Sequence, residues 1–447
     1  MKKIIITFCF VLLSALTSAQ SWQSVGNPGL SQAGASYISL KFNSAGIPHV
    51  AYVDFAHNSK ATVQKFENGS WQTVGTAGFT AANAPHVFLA FDNNDVPYIA
   101  FKDGANEYKA TVMKFEGGNW QTVGTAGFSA DVVDYTTLDF NSNNTPYISY
   151  EEGFQNKATV MSFVNGGWYA VGSSGFSTQA ANVKMAISNN NIPYIVYCST
   201  GWGSKATVKK FEDGAWQLVG SGAFSAGVAY GFCIAFDSND VPYVSYMDSP
   251  NSTDINRATV MKFDGVTWQP VGTEGFTEGP ANYITFALDN NDVPYIAYSD
   301  ELNDDKAIVM KFEEGSWQTV GTAGFSAGVA YETSIALNGT VPYVAYWDVA
   351  NANKVTVMKY DQTAGLNEAF ANNLVIYPNP TRNVATISNI PAGSMLQVID
   401  ITGKVVYTTQ ATDIQATVNT SALAGGVYAV KVSLGDKVAV KKLVVER

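Results

Sequence analysis

Histidine and cysteine are nearly missing from this chain, with three of each in 447 residues. His49, His57 and His86 lack the spacing of a zinc set, and no nucleophile elbow or phosphate-cradling glycine loop accompanies them. Positive charge is also scarce: 26 Lys and Arg face 37 Asp and Glu, a net charge of −11. Setting aside Lys2 and Lys3, and residues 362–447 with seven basic against five acidic side chains, leaves −15 on residues 20–361. A surface that acidic repels phosphate backbones, which argues against nucleic acid and anionic membranes as partners. No apolar run after the first residues is long enough to span a bilayer, so no transmembrane anchor is expected. A helical period is absent throughout, which leaves strands as the building material.

The chain opens with "MKKIIITFCFVLLSALTSAQ", a basic pair, an apolar run and small residues before Gln20. That is the layout of a secretory signal over residues 1–19, with cleavage expected after Ala19. Cys9 leaves with it. An exported chain meets an oxidising compartment, so Cys198 and Cys233 are candidates for a disulfide; two separate buried thiols fit the sequence equally well.

What the chain has in quantity is repetition. "WQSVG" at Trp22 returns in close variants at Trp71, Trp120, Trp168, Trp216, Trp268 and Trp317, at intervals of 48 to 52 residues. Each unit holds four strand-like runs, such as "FLAFD", "VPYIAF", "ATVMKF" and "WQTV" from Phe88 to Val123, separated by turns rich in Gly, Asn and Asp. Seven such meanders arranged radially make an all-β, seven-bladed β-propeller over residues 20–361. The last unit stops at "KVTVMKY" without its tryptophan run, so the strand at Trp22 is expected to complete it and close the ring. The seven tryptophans read as packing residues.

Numbering the strands outward from the axis, the first-to-second and third-to-fourth turns share one rim and are nearly identical among units. The other rim carries the variation, and binding residues favour such loops. There, Asp54, Asp103, Glu152, Asp248, Asp300 and Asp348 end second strands opposite Lys60, Lys109, Lys157, Arg257, Lys306 and Lys354. These read as cross-strand ion pairs or as a charged ring around the channel. The fourth unit has Ser199 at that position and adds Trp202; the seventh adds Trp347. Either indole offers a flat face to a sugar ring, with Phe55, His57, Tyr108 and Phe154 on the same loops. No cofactor is expected. Calcium is the one candidate ion, at "DNND" of Asp92–Asp95 and Asp289–Asp292, where side-chain capping of the turn explains the same residues.

The repeat resembles secreted propeller arrays with the unit "FDxNxxPYxAYxD…KATVxKFxxxxWxxVG", and lacks the signatures of the kelch and WD40 propellers. After a linker at 362–373, "LVIYPNPTRNVATISN", "VIDITGKVVYTT" and "LAGGVYAVKVSLGDKVAVKKLVVER" resemble the type A C-terminal sorting domain of the type IX secretion system, over 374–447. Its alternating runs give a small Ig-like β-sandwich. The resemblance implies Sec export to the periplasm, passage across the outer membrane by the type IX machinery as partner, and a final place outside the cell or on its surface. The sorting-signal positions carried over are Tyr377, Pro378, Asn379 and Pro380, with Lys441, Lys442, Leu443 and Val444.

Sevenfold repetition multiplies contacts, whereas catalysis needs one asymmetric site. The sequence therefore favours a non-catalytic binding or adhesion module, with glycans or surface proteins as ligands. The alternatives are a polysaccharide-active hydrolase or lyase, which would need non-repeated carboxylates at the channel mouth, and a structural surface protein without a small ligand.

Overall fold

The computed structural model describes residues 21–249, 256–361, 374–434 and 437–447. The signal, Cys9 and the linker at 362–373 lie outside them. Two compact units are present, Trp22–Tyr360 and the tail from Asp361.

The first unit is a seven-bladed propeller of four-stranded antiparallel sheets. One blade runs Ala35–Phe42, Pro48–Asp54, Lys60–Glu67 and Ser70–Thr73. Its second strand, lying between neighbouring blades, is buried at every residue, which is why that run is apolar without alternation. The hairpin to the fourth strand turns on Asn68 and Gly69, both at positive φ, the geometry that Asn-Gly pairs favour. The innermost strands pack side by side around the axis, and that of the seventh blade packs against Ala35–Phe42 of the first. In the last sheet Ser21–Ser24 lies outside Lys354–Asp361, so the two ends of the unit meet in one blade.

Each tryptophan seals a blade to the one before it. The indole N–H of Trp120 donates to the Val74 carbonyl at 2.8 Å, that of Trp168 to Val123 at 2.8 Å, and that of Trp22 to Val320 at 2.9 Å. The ring of Trp120 stacks on Phe79 at 4.2 Å, and Trp22 on Phe325 at 3.9 Å. The glycine of "WQxVG" follows from this contact: Gly75 sits at φ +78°, and a Cβ there would come within 2.9 Å of Phe115.

The invariant rim is a seam. Asp92 accepts the N–H groups of Asn94 and Val96, both at 2.9 Å, and Asp289 does the same in its own turn. The last turn residue then reaches back one blade: Asp95 to the Ser44 N–H at 2.7 Å, Asn144 to Asn93 at 2.7 Å, Asp292 to Ser238 at 2.8 Å. The acidic turns are thus occupied in capping and blade-to-blade contacts. Among the described residues no group of three or more His, Cys, Asp or Glu is arranged to hold a metal ion.

The tail is a sandwich of two sheets. Val375–Tyr377, Val384–Ser388 and Gln415–Asn419 form one; Val405–Gln410, Met395–Ile399, Gly426–Leu434 and Lys437–Val445 form the other. Ile387, Leu396, Val398, Val418, Val430 and Leu443 fill the space between them, each fully buried.

Candidate functional site

Six of the seven innermost strands carry one residue too many for their partner. Ser36 and Ser39 oppose Val53 and Ala51, and the same slip recurs at Asp134/Thr137, Ala181/Lys184, Tyr230/Cys233, Asn282/Thr285 and Tyr331/Ser334. The extra residue takes positive φ: Tyr37, Tyr135, Asn182, Gly231, Tyr283 and Glu332, with His86 in the same conformation before the shorter strand of the second blade. Only one is glycine. Bulky residues hold a left-handed backbone at some cost, and bulges re-aim side chains where they occur.

These positions are where the copies disagree most. The bulge column reads Tyr37, His86, Tyr135, Asn182, Gly231, Tyr283, Glu332; the penultimate position of the second strand reads Val53, Lys102, Glu151, Cys198, Met247, Ser299, Trp347. On the second strand the flanking tyrosine and acid repeat closely, whereas beside the bulge the variation extends to the preceding residue, from Ser36 to Tyr331. The two columns adjoin at the axis, where a cavity of about 600 Å³ is lined by Tyr135, Asn182, Gly231, Met247, Tyr283 and Tyr331, with Glu301 and Asp305 beside them.

The wall is aromatic and polar. Tyr37 meets His86 at 4.6 Å between ring centres, and His86 meets Tyr135 at 5.1 Å. Across the ring Tyr283 meets Tyr331 at 5.6 Å, and Tyr331 meets Trp347 at 5.7 Å. The Trp347 indole nitrogen is buried without a hydrogen-bond partner. Asp134 accepts from Lys102 Nζ at 2.6 Å and lies 3.1 Å from His86 Nε2; those two contacts outweigh its burial and hold its carboxyl below the usual range. Glu332 takes the backbone N–H of Tyr37, and burial raises its pKa. Glu151 is 5% exposed with Oε1 unpartnered; burial pushes it up to about 7, against the pull of the Asn182 and Val183 N–H groups.

The acids expected at the mouth go elsewhere. Asp54 accepts from Ala56 N at 3.0 Å and Thr62 Oγ1 at 2.9 Å; Asp103 takes Ala105, Asn106 and Thr111. Asp300 binds Leu302 and Asn303, Asp348 binds Asn351 and Thr356, Glu152 binds Ala130 and Thr159, and Asp248 binds the Gly227 N–H. The backbone register does set Asp54 opposite Lys60 and Asp103 opposite Lys109. No ion pair joins them among the described residues, and Lys109 instead reaches Glu107 at 3.2 Å. The reason is local: threonine on the third strand and the turn amides give a buried carboxylate more hydrogen bonds than an exposed ammonium does. These residues cap hairpins.

Trp202 is 47% exposed, in the short turn Thr200–Trp202, with its ring laid against Gly222. It does not line the axial cavity, whereas Trp347 stands beside it. Phe154, 93% exposed, borders a separate rim groove of about 440 Å³ with Asp131, Glu152 and Lys157. Cys198 and Cys233 are both free. Cys198 opposes Ala181 within the fourth blade, while the Cys233 thiol is directed to the Ile284 carbonyl of the sixth at 3.9 Å, so the two face different blade interfaces.

In the tail, the two ends of the sorting motif are joined. Asn379 Nδ2 donates to the Lys442 carbonyl at 2.7 Å and its Oδ1 accepts the Val444 N–H at 2.9 Å. Lys441 Nζ reaches the Leu374 carbonyl at 2.5 Å, and Thr381 pairs with the backbone beside Val445. Residues 375–446 match the secretion system C-terminal sorting domain. The tail is a type IX sorting domain. It carries the protein through the type IX system to the cell surface or exterior. Secretion should then depend on it: a chain ending at Asp361 is expected to accumulate in the periplasm, as cell fractionation and immunoblotting would read, and normal export of that chain would contradict the assignment.

Among solved structures, the type IX surface component PorZ of Porphyromonas gingivalis is similar at TM-score 0.48 and 14% identity, over 93% of this chain and 60% of its own. An ulvan lyase of polysaccharide lyase family PL25 is similar at 0.48 and 10% identity, over 75% of this chain and 94% of its own. A puromycin-hydrolysing peptidase of Mycobacterium tuberculosis reaches 0.52 at 11% identity, over 82% of this chain and 60% of its own. This chain thus spans about three fifths of the length of the first and the last. At such identities the likeness is one of fold. No curated protein matches the chain.

Proposed function

We propose that this exported propeller is a non-catalytic binding module that takes a carbohydrate at the axial mouth. The observation that carries the reading is a coincidence: positions at which the seven near-copies differ supply Tyr135, Asn182, Gly231, Met247 and Tyr283 to the wall of the axial cavity. A scaffold repeated for stability alone has no reason to diversify its mouth. Aromatic rings and an amide in one wall suit a ligand with apolar ring faces and many hydroxyls. Trp347 belongs to this site, and Trp202, with Phe154, to a second contact surface on the rim.

The test is a glycan-array assay on the full secreted chain, beside Tyr283→Ala, Trp347→Ala and Trp202→Ala, each checked for folding by circular dichroism. Loss of a stacking ring should weaken binding by roughly tenfold, about 1.4 kcal/mol, at Tyr283 and Trp347. A smaller loss at Trp202 would mark the rim as secondary. No binding to any glycan would shift the assignment to a protein ligand or a structural role.

One observation favours a second reading, a hydrolase or lyase. Asp134, Glu151 and Glu332 are non-repeated carboxyls near the mouth, and a carboxyl with a pKa of about 7 suits proton transfer at neutral pH. Turnover of a bound glycan that disappears in Glu151→Gln would establish it.

A further inference from the structure

Residues 20–361 hold seventeen Lys and Arg, and thirteen of them occupy two repeated positions of the third strands. The four that do not are Lys41, Lys102, Lys184 and Lys209. Three of these four stand on the two innermost strands of their blades, so the singular positive charge of an acidic propeller gathers about its axis.

Lys41 and Lys184 come from the first and fourth blades, yet both reach one ring of the second. Their ammonium groups lie 5.4 and 5.5 Å from the centre of Phe88, and therefore within about 11 Å of each other. At the Phe88 and Lys184 position the other blades carry Ser39, Thr137, Cys233, Thr285 and Ser334; at the Lys41 position they carry Ala90, Asp139, Ala186, Ala235, Ala287 and Ala336. Asp139 is the only carboxylate in these two rows. Its oxygens accept the Phe140 N–H at 2.9 Å and the Ile187 N–H at 2.8 Å, and although Lys41 lies within its field, burial raises its pKa. Neither lysine has an ion pair among the described residues; each lies over the face of Phe88. Burial lowers the pKa of Lys184, and the neighbouring Lys41 charge lowers it further.

We propose that the axial channel is an oxyanion site, in which Lys41 and Lys184, astride Phe88, bind the carboxylate or sulfate ester of an acidic saccharide whose rings stack on the tyrosines of the mouth. The lysines lie two and four residues beyond the bulge along the innermost strands, so one ligand can meet both layers. The two ammoniums supply the charge, and the phenyl ring that both approach supplies an apolar platform. The exterior charge repels polyanions at long range, so selection for such ligands falls to this short-range pair. The inference deepens the carbohydrate reading and rests on the mouth taking a ligand.

Isothermal titration of the full secreted chain with sodium glucuronate, glucose 6-sulfate, methyl glucoside and inorganic sulfate tests it. One or both acidic sugars should bind at least tenfold more tightly than methyl glucoside, the preference should fade as salt is raised, and the stronger of the two identifies the anionic group. Lys41→Met and Lys184→Met should abolish the preference while Lys184→Arg keeps it, and Lys184→Met should not lower the melting temperature, since it removes an unpaired charge. Equal binding of acidic and neutral sugars, retained preference in the methionine variants, or binding of inorganic sulfate alone would overturn the proposal. If glucuronate binds through the lysines while no polysaccharide on the array is held, the oxyanion site stands and the glycan-module reading fails; neutral glycans bound without discrimination would mean the reverse.

Discussion

Trp22→Ala is expected to destabilise the propeller by about 4 kcal/mol, the middle of the range for removing a buried aromatic side chain. Trp22 is 9% exposed, stacks on Phe325 at 3.9 Å, meets Tyr360 at 5.6 Å and donates to the Val320 carbonyl. Its neighbours in the other blades make similar contacts, but from strands tied to their own sheet by a hairpin. The strand at Trp22 is four residues long and arrives from the opposite end of the unit, so its side chain is a large part of what holds the seventh blade shut. Losing it frees a strand that must be recaptured against the entropy of a closure hundreds of residues long. Trp71→Ala, which breaks an equivalent bond to Val25 at 2.6 Å in a hairpin-tethered strand, serves as the control and should cost less. Urea unfolding of both variants, with limited proteolysis to locate the opened blade, measures the difference. Equal midpoints for Trp22→Ala and the parent chain would mean that the strand does not close the ring.

Much of this architecture was legible in the sequence for a physical reason: the blade-sealing contact uses a tryptophan, a phenylalanine and a glycine at fixed places, and each leaves a conspicuous letter. Turn chemistry was legible too, since Asn68-Gly69 and Asp92–Asp95 each follow from backbone demands visible in one unit. The mouth was hidden because period-two alternation assumes an unbroken ladder. One extra residue at Tyr37 or Tyr135, in a conformation that glycine favours, turns the innermost strand and re-aims the positions around it. On the loops Trp202 is conspicuous, while in the strands Glu151, Tyr283 and Lys184 look like ordinary strand residues. The signal that could have found them is columnar: in "YVD", "FKD", "YEE", "YCS", "YMD", "YSD" and "YWD" the middle residue is different every time, while the outer two change once and twice. The ring of acids failed differently. Register set each acid opposite a base, but burial decided the pairing, and buried carboxylates such as Asp54 and Asp348 took amides and hydroxyls instead.

Glu151→Gln is expected to remove a pH dependence rather than an interaction. In the folded chain the Glu151 carboxyl titrates at about 7, raised from 4.5 mainly by burial, with the Asp134 charge adding to it; Tyr135 and the Cys198 thiol also lie within its field. A raised carboxyl pKa means that the folded state holds a proton the unfolded state has released. Its contribution to stability is therefore complete below about pH 4.5 and is lost as pH rises through 7. A difference of about 2.5 pH units corresponds to roughly 3 kcal/mol. Glutamine keeps the shape and never ionises, so the variant should match the parent near pH 4.5 and exceed it by up to that amount near pH 8. Urea unfolding at five or six pH values gives both curves, and their difference isolates Glu151 from Glu332 and Asp248, whose raised pKa values tilt both in the same direction. Parallel curves would show that Glu151 is ionised and solvated in the folded chain. The expected divergence would instead mean that the protein keeps, beside its axial cavity, a carboxyl that weakens it at neutral pH. A scaffold under selection for stability alone would have replaced that residue with the valine, serine or methionine its other blades already use at the same position.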